Sequence, residues 1–211
     1  MRAYVGQTRS AALARELVRA GIGECTVRGE LDPRRRPFFH DNGAWRDFAA
    51  GRPFDCTRWA RDMWRMRDRA MRPDFVVVPD LVAGGLASLD VSAFWRDMVP
   101  DECPAYLAVQ NGMSEGDVSR HLERFSYRGI FVGGDLEWKL ATAPAWVRYA
   151  HDRGMACHVG RVGVAARVRW ARAIGADSID SSLPLMAREH LVPFLDAVLA
   201  GDDGAALARA A

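Results

Sequence analysis

The sequence predicts an α/β fold, a compact (β/α)8 barrel of the TIM type, and three observations support this prediction. Eight short apolar runs of strand character recur along its 211 residues. Helical patterns fill most of the gaps between these runs, as expected where strands and helices alternate. Several runs are apolar throughout, which is typical of parallel strands covered by helices. An open doubly wound sheet would produce a similar pattern.

The predicted strands cover most of the chain at regular intervals. They are Ala3 to Gly6, Glu24 to Arg28, Pro37 to His40, Phe75 to Pro79, Tyr106 to Gln110, Gly129 to Gly133, Ala156 to Val159 and Asp177 to Asp180. No helical pattern separates the second strand from the third. The segment Gly29 to Arg36 is therefore either a shortened crossover or a sign that the second strand is misplaced.

The predicted helices lie between and after these strands. Ser10 can cap the first helix, with Gly21 as its stop, and Ser114 followed by Asp117 can open another. The predicted ranges are Ala11 to Ala20, Thr57 to Met71, Val91 to Met98, Glu115 to Phe125, Ala145 to Arg153, Ala165 to Ile174 and Leu191 to Leu199. We expect one barrel domain over residues 1–200, followed by a short tail, 201–211, that frays.

The charge is nearly balanced, but the basic residues are of one kind. The chain carries 29 Lys and Arg residues against 27 Asp and Glu, a formal net charge of +2, and Lys139 is its only lysine. Arginine suits planar, bidentate contact with phosphate or guanine. A GC-rich genome would give the same excess of arginine without a functional reason.

The cysteines and the apolar segments exclude several classes of protein. Cys25, Cys56, Cys103 and Cys157 lie far apart, so neither a zinc site nor a disulfide framework is expected. No apolar run approaches the length of a membrane span, and the amino terminus has no signal-peptide core. We expect a cytoplasmic protein with no metal, no cofactor and no membrane contact.

Three of the predicted strands lead into an aspartate, namely Asp41, Asp80 and Asp180. The carboxyl ends of parallel strands gather on one face, which is where barrels and open sheets place their sites. The sequence therefore predicts one cleft lined by carboxylates.

Each strand end also has an ordinary explanation. Asp41 to Gly43 has a favoured turn composition, and Asp80 can cap the next segment. Gly133 and Gly134 would let a backbone N–H approach a ligand closely, although glycine pairs are common in loops. The run from His158 to Gly163 has the composition of a phosphate-binding loop but lacks the dinucleotide fingerprint, and its histidine is expected to be structural.

Taken together and in this order, the strand ends resemble the tRNA-guanine transglycosylase superfamily. The resemblance covers roughly residues 37–184. The matching strings are Asp41-Asn42-Gly43-Ala44, Val78-Pro79-Asp80, Val109-Gln110-Asn111-Gly112, Val132-Gly133-Gly134, His158-Val159-Gly160-Arg161-Val162-Gly163 and Ile179-Asp180-Ser181-Ser182-Leu183-Pro184.

The resemblance implies a glycosyltransferase that exchanges a nucleobase. Asp180 matches the nucleophile that forms a covalent aspartyl–sugar intermediate, and Asp41 matches the general acid and base. Asp80 and Gln110 match residues that read guanine, with the Gly134 N–H as a further donor. Residues matched to the remainder of the base-binding site are Asn42 and Gly133.

The chain departs from the tRNA enzymes in lacking their cysteine-rich zinc subdomain after the nucleophile. It looks more like the small phage-type DNA-guanine transglycosylases. The resemblance thus implies exchange of guanine in DNA for a queuosine-related 7-deazaguanine such as 7-cyano-7-deazaguanine, with tRNA as the alternative substrate. For a phage-encoded protein, the compartment would be the host cytoplasm.

Basic segments provide candidates for nucleic-acid contact. Arg34, Arg35 and Arg36 precede the Asp41 strand, and Arg161 lies in the glycine-rich turn. The arginines between Thr57 and Arg72 form either a cationic face or an ordinary solvated one. Trp45 and Trp138 are candidates for base stacking or for the core.

Two other functions fit the same pattern of residues. One is a non-catalytic subunit of this architecture that binds a base or a nucleic acid, although the intact Asp41 and Asp180 argue against it. The other is an unrelated barrel hydrolase or lyase that acts on a small phosphorylated substrate, which the turn from Gly160 to Gly163 would suit.

Overall fold

A computed structural model describes residues 1–33 and 37–200 of the chain. Its strands are β1 (Arg2–Val5), β2 (Gly23–Val27), β3 (Phe38–Asp41), β4 (Val76–Val77), β5 (Ala105–Val109), β6 (Gly129–Val132), β7 (Ala156–Val159) and β8 (Ser178–Asp180). All of them run parallel, each pairs with its neighbours in sequence, and β8 returns to β1 to close the barrel. The predicted (β/α)8 barrel is confirmed, and the open sheet is excluded.

Helices of very different length surround the barrel in the described residues. They are α1 (Ala11–Arg19), α2 (Ala44–Ala49), α3 (Cys56–Asp68), α4 (Ala87–Arg96), α5 (Glu115–Leu122), α6 (Leu136–His151), α7 (Ala165–Ala173), α8 (Leu183–Met186) and α9 (Leu191–Leu199), with a 3₁₀ turn at Arg188–His190. The short helices α2 and α8 had no counterpart among the predicted elements. Both follow strands whose last residues carry a candidate catalytic aspartate, so they begin at the mouth of the barrel.

The crossover between β2 and β3 is short. Strand β2 pairs in register with β3 from Glu24 opposite Phe38 to Val27 opposite Asp41, so the second strand was placed correctly. Residues 29–33 contain turns and no helix, while 34–36 lie outside the described residues. The shortened crossover is therefore the explanation that holds for the described part of this segment.

Helix α6 is the largest difference from the predicted elements, because it begins nine residues earlier than Ala145. Pro144 lies inside it and removes one backbone donor, which favoured a helix that starts after the proline. The Asp135 side chain nevertheless caps the true start by accepting from the N–H of Trp138 at 2.9 Å. Burial of the face that carries Lys139, Ala143 and Trp146 offsets the missing bond.

The barrel interior is filled by aromatic rings rather than by a pore. Phe39 stacks on Phe75, Phe75 stacks on Tyr106, and the Tyr4 ring meets Phe39 edge to face. A larger apolar cluster fills the space between the strands and the helices. These rings close the interior of the barrel, and the carboxyl ends of the strands form its mouth.

Two further expectations concern the ends and the surface of the chain. No helix in residues 1–33 and 37–200 combines the length and the apolar character that a membrane span requires. The expected tail, 201–211, lies outside the described residues, and so do Arg34, Arg35 and Arg36.

Candidate active site

The carboxyl ends of the strands open into a cavity of about 570 Å³, a size suited to a small organic ligand. Every described residue that the sequence predicts for the site lines it. These residues are Asp41, Asn42, Asp80, Gln110, Gly133, Gly134, Arg161 and Asp180. The predicted carboxylate-lined cleft therefore exists at the place expected for a barrel.

Asp180 closes β8 and is held by one of its two oxygens. Oδ1 is 3.0 Å from Nε2 of His158 and 3.0 Å from the backbone N of Arg161. No hydrogen bond reaches Oδ2 from the residues that the structure describes, and the side chain is 14% exposed. Asp180 thus has one fixed oxygen and one that is available for reaction in the cavity.

The charge on Asp180 is stabilised by its surroundings. Burial alone would disfavour the carboxylate, but the His158 hydrogen bond, the Arg161 N–H and the Lys139 ammonium outweigh it. Together they hold the pKa of Asp180 below its usual value. An ionised carboxylate is the form that a nucleophile requires.

His158 has a more specific role than the structural one expected from the sequence. Its ring is fully buried and stacks on Phe131 at a centroid distance of 4.9 Å. Because an ionised Asp180 can only accept, Nε2 must carry a proton, and Ser178 Oγ lies 2.8 Å from Nδ1 to fix the ring from behind. His158 therefore orients the carboxylate of Asp180.

Asp41 closes β3 on another side of the same cavity, and its environment differs from that of Asp180. From the described residues its Oδ1 accepts one hydrogen bond, from the N–H of Gly43 at 2.6 Å. Burial and the negative charge of Asp180 outweigh that bond and raise the pKa of Asp41. Two carboxyls with opposite tendencies are the arrangement that divides acid from nucleophile.

Asp80 follows β4 and is held by two amides. Asn42 Nδ2 donates to its Oδ1 at 2.9 Å, and Gln110 Nε2 lies 3.4 Å from its Oδ2. Asn42 is itself fixed by Val78 O and by the N–H of Ala44. Burial raises the pKa of Asp80 to about 6, against the opposing effect of the Asn42 hydrogen bond.

Gln110 does not present a free amide nitrogen to the cavity. Its Nε2 donates to Leu81 O at 2.8 Å as well as facing Asp80, so both N–H groups are directed at the protein. To donate to the carbonyl oxygen of a base, as the resemblance implies, this amide would have to leave Leu81. In this structure Gln110 supports Asp80.

Gly134 supplies a donor of another kind. No acceptor for its backbone N–H is found among the described residues, whereas Gly133 donates to Val109 O at 2.9 Å. Gly134 has φ +70°, and a Cβ there would lie 2.6 Å from the Trp138 ring, so the close turn requires glycine. The same contact packs Trp138 beneath the loop, and this side chain is not among the cavity-lining residues.

The guanidinium of Arg161, which lies over the ring of Trp45, partly covers the mouth of the cavity. Cζ of Arg161 lies 4.0 Å from the centroid of Trp45, and its NH2 group donates to Gly134 O at 3.2 Å. Trp45 is about half exposed on α2, so it is placed for stacking as the sequence suggested. Arg161 adopts φ +52°, a conformation that costs a non-glycine residue about 1 kcal/mol.

The glycine-rich turn does not have free N–H groups in its first half. Gly160 N donates to Val132 O, Arg161 N to the Asp180 side chain and Val162 N to Asp180 O. These three donors are not available for a phosphate, and this removes the main support for a phosphate-binding loop. The N–H groups of Arg161 and Val162 bind Asp180 instead.

The arginines of α3 behave as a solvated face. Arg58 pairs with Asp55 at 3.3 Å and Arg65 with Asp62 at 3.5 Å, both at a spacing of three residues. None of the α3 residues lines the cavity. Arg161 is the described candidate for nucleic-acid contact that lies at the mouth.

No protein-family model matches this chain, and no curated protein matches it at a significant level. Its function must therefore be argued from the geometry of the cavity. Within the described part of the chain, no group of three or more His, Cys, Asp or Glu side chains is arranged to hold a metal ion. The four cysteines are free thiols, and Cys25 lines the cavity.

Several residues of the site were not predicted. Lys139 is buried below the turn at Gly160, Phe131 forms part of the cavity wall, and Asn111 holds Asp135 through a hydrogen bond of 2.6 Å at the rim. A signal existed only for Asn111, which directly follows Gln110. The positions of Lys139 and Phe131 depend on packing between elements far apart in sequence.

Proposed function

We propose that this protein is an enzyme, a transglycosylase that exchanges guanine in a nucleic acid for a 7-deazaguanine base. One observation carries the proposal: Asp180 lines the same cavity as Asp41, its Oδ1 accepts two hydrogen bonds, and its Oδ2 accepts none from the residues that the structure describes. This is the arrangement that a carboxylate needs to attack carbon while a second carboxyl handles protons.

The proposed reaction has two displacements at the anomeric carbon of the sugar. Asp180 Oδ2 forms a bond to C1′ as the bond from C1′ to guanine breaks, and Asp41 gives its proton to the departing base. The incoming 7-deazaguanine then bonds to C1′ and loses its proton to Asp41, while the bond to Asp180 breaks. Atoms and charge balance without a cofactor.

Recognition of the base would come from other residues that line the same cavity. A carboxylate at Asp80 accepts from the N–H groups of guanine, and the N–H of Gly134 donates to its carbonyl oxygen. Gln110 holds Asp80 in place and can add a second donor after it leaves Leu81. The cavity admits a base only if the nucleotide is flipped out or unpaired.

DNA is the favoured substrate and tRNA the alternative, because the resemblance is greatest to the small phage-type enzymes. Arg161 would contact the phosphates beside the flipped nucleotide. Arg34, Arg35 and Arg36 are proposed for the same purpose on sequence grounds. We propose that the reaction takes place in the cytoplasm, the host cytoplasm if the gene belongs to a phage.

Nucleoside analysis tests the proposal directly. The protein is incubated with DNA or tRNA and with 7-cyano-7-deazaguanine or a related base, and the nucleic acid is digested and examined by mass spectrometry. Incorporation into DNA supports the favoured substrate, and incorporation into tRNA alone supports the alternative. If folded protein that binds the free base modifies neither, the proposal is wrong.

A substitution at Asp180 identifies the nucleophile. Asp180→Asn should reduce exchange by about 10⁴-fold or more while nucleic-acid binding persists. Asp196→Asn, at an exposed position of α9, is the matched control and should keep full activity. Full exchange by Asp180→Asn would remove Asp180 from the mechanism, and equal loss in both variants would point to a general defect.

A further inference from the structure

The only lysine of the chain is buried next to the candidate nucleophile. Lys139, on α6, is 3% exposed, and its Nζ donates to the carbonyl oxygen of Gly160 at 2.5 Å. That carbonyl belongs to the same peptide group as the N–H of Arg161, which donates to Asp180 Oδ1 at 3.0 Å. One peptide group therefore lies between a buried cation and the carboxylate, with its two ends pointing in opposite directions.

This peptide group is held in an orientation that its own backbone disfavours. Arg161 has φ +52°, whereas a rotation of the Gly160–Arg161 peptide by half a turn would return it to a negative φ. The rotated peptide would direct its carbonyl oxygen, rather than its N–H, towards Asp180. Something must oppose this rotation, and the Lys139 ammonium is the group in contact with the carbonyl end.

Gly160 lies on the amino side of this peptide bond, and its lack of a side chain leaves room for the turn. A Cβ on Gly160 would lie 2.6 Å from Cζ of Phe131 and 3.4 Å from Oδ1 of Asp180. Glycine thus allows the turn to approach both side chains closely, but it also makes rotation of the peptide easy. Glycine alone cannot fix the direction in which the peptide points.

We propose that Lys139 is a positioning residue that locks the Gly160–Arg161 peptide with its N–H on Asp180 and strengthens that donor through the peptide group. The structural part of this inference is independent of the proposed function. Its catalytic consequence rests on that function. A rotated peptide would place a carbonyl oxygen against the nucleophile Asp180 and destabilise its ionised form.

The titratable and charged groups near Asp180 and Lys139 come from several elements. Asp180 is faced by His158 on β7, Arg161 in the turn, Lys139 on α6, Asp41 on β3 and Cys25 on β2. Lys139 is faced by Arg161, Arg167, Asp135 and Asp180. Burial, followed by the nearby Arg161, lowers the pKa of Lys139 to about 8, so the ammonium is present at neutral pH and is lost in mildly alkaline solution.

Two substitutions separate the hydrogen bond from the charge. Lys139→Met keeps the volume but removes both, while Lys139→Gln is neutral and retains an amide donor. Arg148→Met, an exposed position on the same helix, controls for loss of a positive charge from α6. Thermal unfolding of each variant establishes that the barrel is intact before any other comparison.

The first measurement needs no activity. Protein labelled with ¹³C at the aspartate carboxyl carbons and with ¹⁵N is titrated by NMR, and Asp180→Asn assigns the Asp180 signal. In Lys139→Met, the Asp180 carboxyl should titrate at higher pH, and the Arg161 amide should exchange with solvent about tenfold faster or more. Lys139→Gln should change the amide exchange little, and Arg148→Met should change neither signal.

The wild-type protein provides a test that no misfolded variant can obscure. Loss of the Lys139 charge near pH 8 should appear as a second inflection in the Asp180 carboxyl shift and as an inflection in the Arg161 amide shift. If both signals stay flat over the pH range in which the Lys139 side chain itself loses its proton, Lys139 does not act through this peptide and the inference is wrong.

Activity then tests the catalytic consequence. At a pH below the raised pKa of Asp180, Lys139→Met should form the covalent intermediate about tenfold more slowly for each unit by which the NMR titration shows that pKa to have risen, and the deficit should shrink as the pH rises and Asp180 ionises. A loss that is the same at every pH would indicate a merely structural role for Lys139 and overturn the catalytic part. If no nucleic acid is modified by the wild type, the proposed function fails, whereas the NMR outcome still decides the positioning role.

Discussion

Nε2 of His158 lies 3.0 Å from Oδ1 of Asp180, and the two side chains belong to the adjacent strands β7 and β8. The imidazole is fully buried and is held from the other side by Ser178, so its donor is directed at one carboxylate oxygen. Burial alone would favour the neutral form of Asp180, and this contact is the largest of the effects that together hold its pKa below the usual value.

Replacement of His158 by Phe should weaken the nucleophile without removing the ring that packs on Phe131. Because the hydrogen bond to His158 lowers the pKa of Asp180, its loss should raise that pKa. We expect formation of the covalent intermediate to slow by about tenfold for each unit by which the pKa of Asp180 rises, at a pH below that raised pKa, and to recover partly as the pH increases. Rapid-quench kinetics with DNA across pH 5–8 measures this.

The control for this change is another buried histidine away from the cavity. His121 pairs with Tyr127 at 3.1 Å, so His121→Phe should cost stability without altering the pH dependence of the reaction. A His158→Phe enzyme with the wild-type profile would mean that His158 does not set the ionisation of Asp180.

Asp41→Asn should remove the proton donor and leave base binding largely intact. Asp41 has a raised pKa, caused mainly by burial and then by the charge of Asp180 after the opposing Gly43 bond. Its protonated form, which donates to the departing guanine, is lost as the pH rises through that pKa. We expect release of guanine to slow by about 10²- to 10⁴-fold. Its pH–rate profile should also lose the alkaline limb, the fall in rate as Asp41 loses its proton.

Single-turnover release of labelled guanine measures the effect, with Asp196→Asn as the control. If Asp41→Asn releases guanine at the wild-type rate, another group supplies the proton. Retention of the alkaline limb in a slow variant would assign that limb to a different residue.

The fold and the position of the candidate site residues at the mouth of the barrel could be predicted because they depend on local patterns. Short apolar runs predict the strands, and Asp41, Asp80 and Asp180 stand at the ends of three of these runs. The parallel closed barrel then brings these strand ends to one mouth. No knowledge of side-chain packing is needed for that step.

The interactions that tune the site could not be predicted in the same way. Lys139 stands between Trp138 and Leu140 in a helix whose start was obscured by Pro144, and a lysine there is normally expected at the surface. The link from His158 to Asp180 spans 22 residues, and the positive φ of Arg161 depends on neighbours from α6 and β8. Such relationships arise only when the barrel closes.

Asp80→Asn should stabilise the protein at neutral pH while abolishing recognition of the base. Burial raises the folded-state pKa of Asp80 from 3.8 to about 6, so the folded protein binds the proton more tightly than the unfolded chain does. Stability contributed by this group is therefore present below about pH 4 and is lost as the pH rises to about 6. Removal of the charge should add about 1–3 kcal/mol to the free energy of unfolding at pH 7.5.

Urea unfolding at pH 7.5 and at pH 4 separates this effect from a change in packing. The difference between Asp80→Asn and wild type should be much smaller at pH 4, where Asp80 is protonated in the folded protein and partly protonated in the unfolded chain. An equal gain at both pH values would mean that ionisation of Asp80 is not its cause. Asp196→Asn should show no such difference.

Arg161→Gly should test the mouth of the cavity without disturbing Asp180, because the backbone N–H of residue 161 remains. Glycine accepts φ +52° freely, and this relief offsets the lost contacts to Trp45 and Gly134 O, so the free energy of unfolding should change by no more than about 1 kcal/mol. Loss of the guanidinium should weaken DNA binding and reduce the slope of log K against log salt by about one, if this side chain moves from Trp45 to a phosphate. Fluorescence anisotropy at several salt concentrations gives the slope, and Arg15→Ala on α1 serves as a charge control away from the cavity. Weaker binding with an unchanged slope would show that Arg161 does not neutralise a phosphate; a lower slope in both variants would reflect net charge alone.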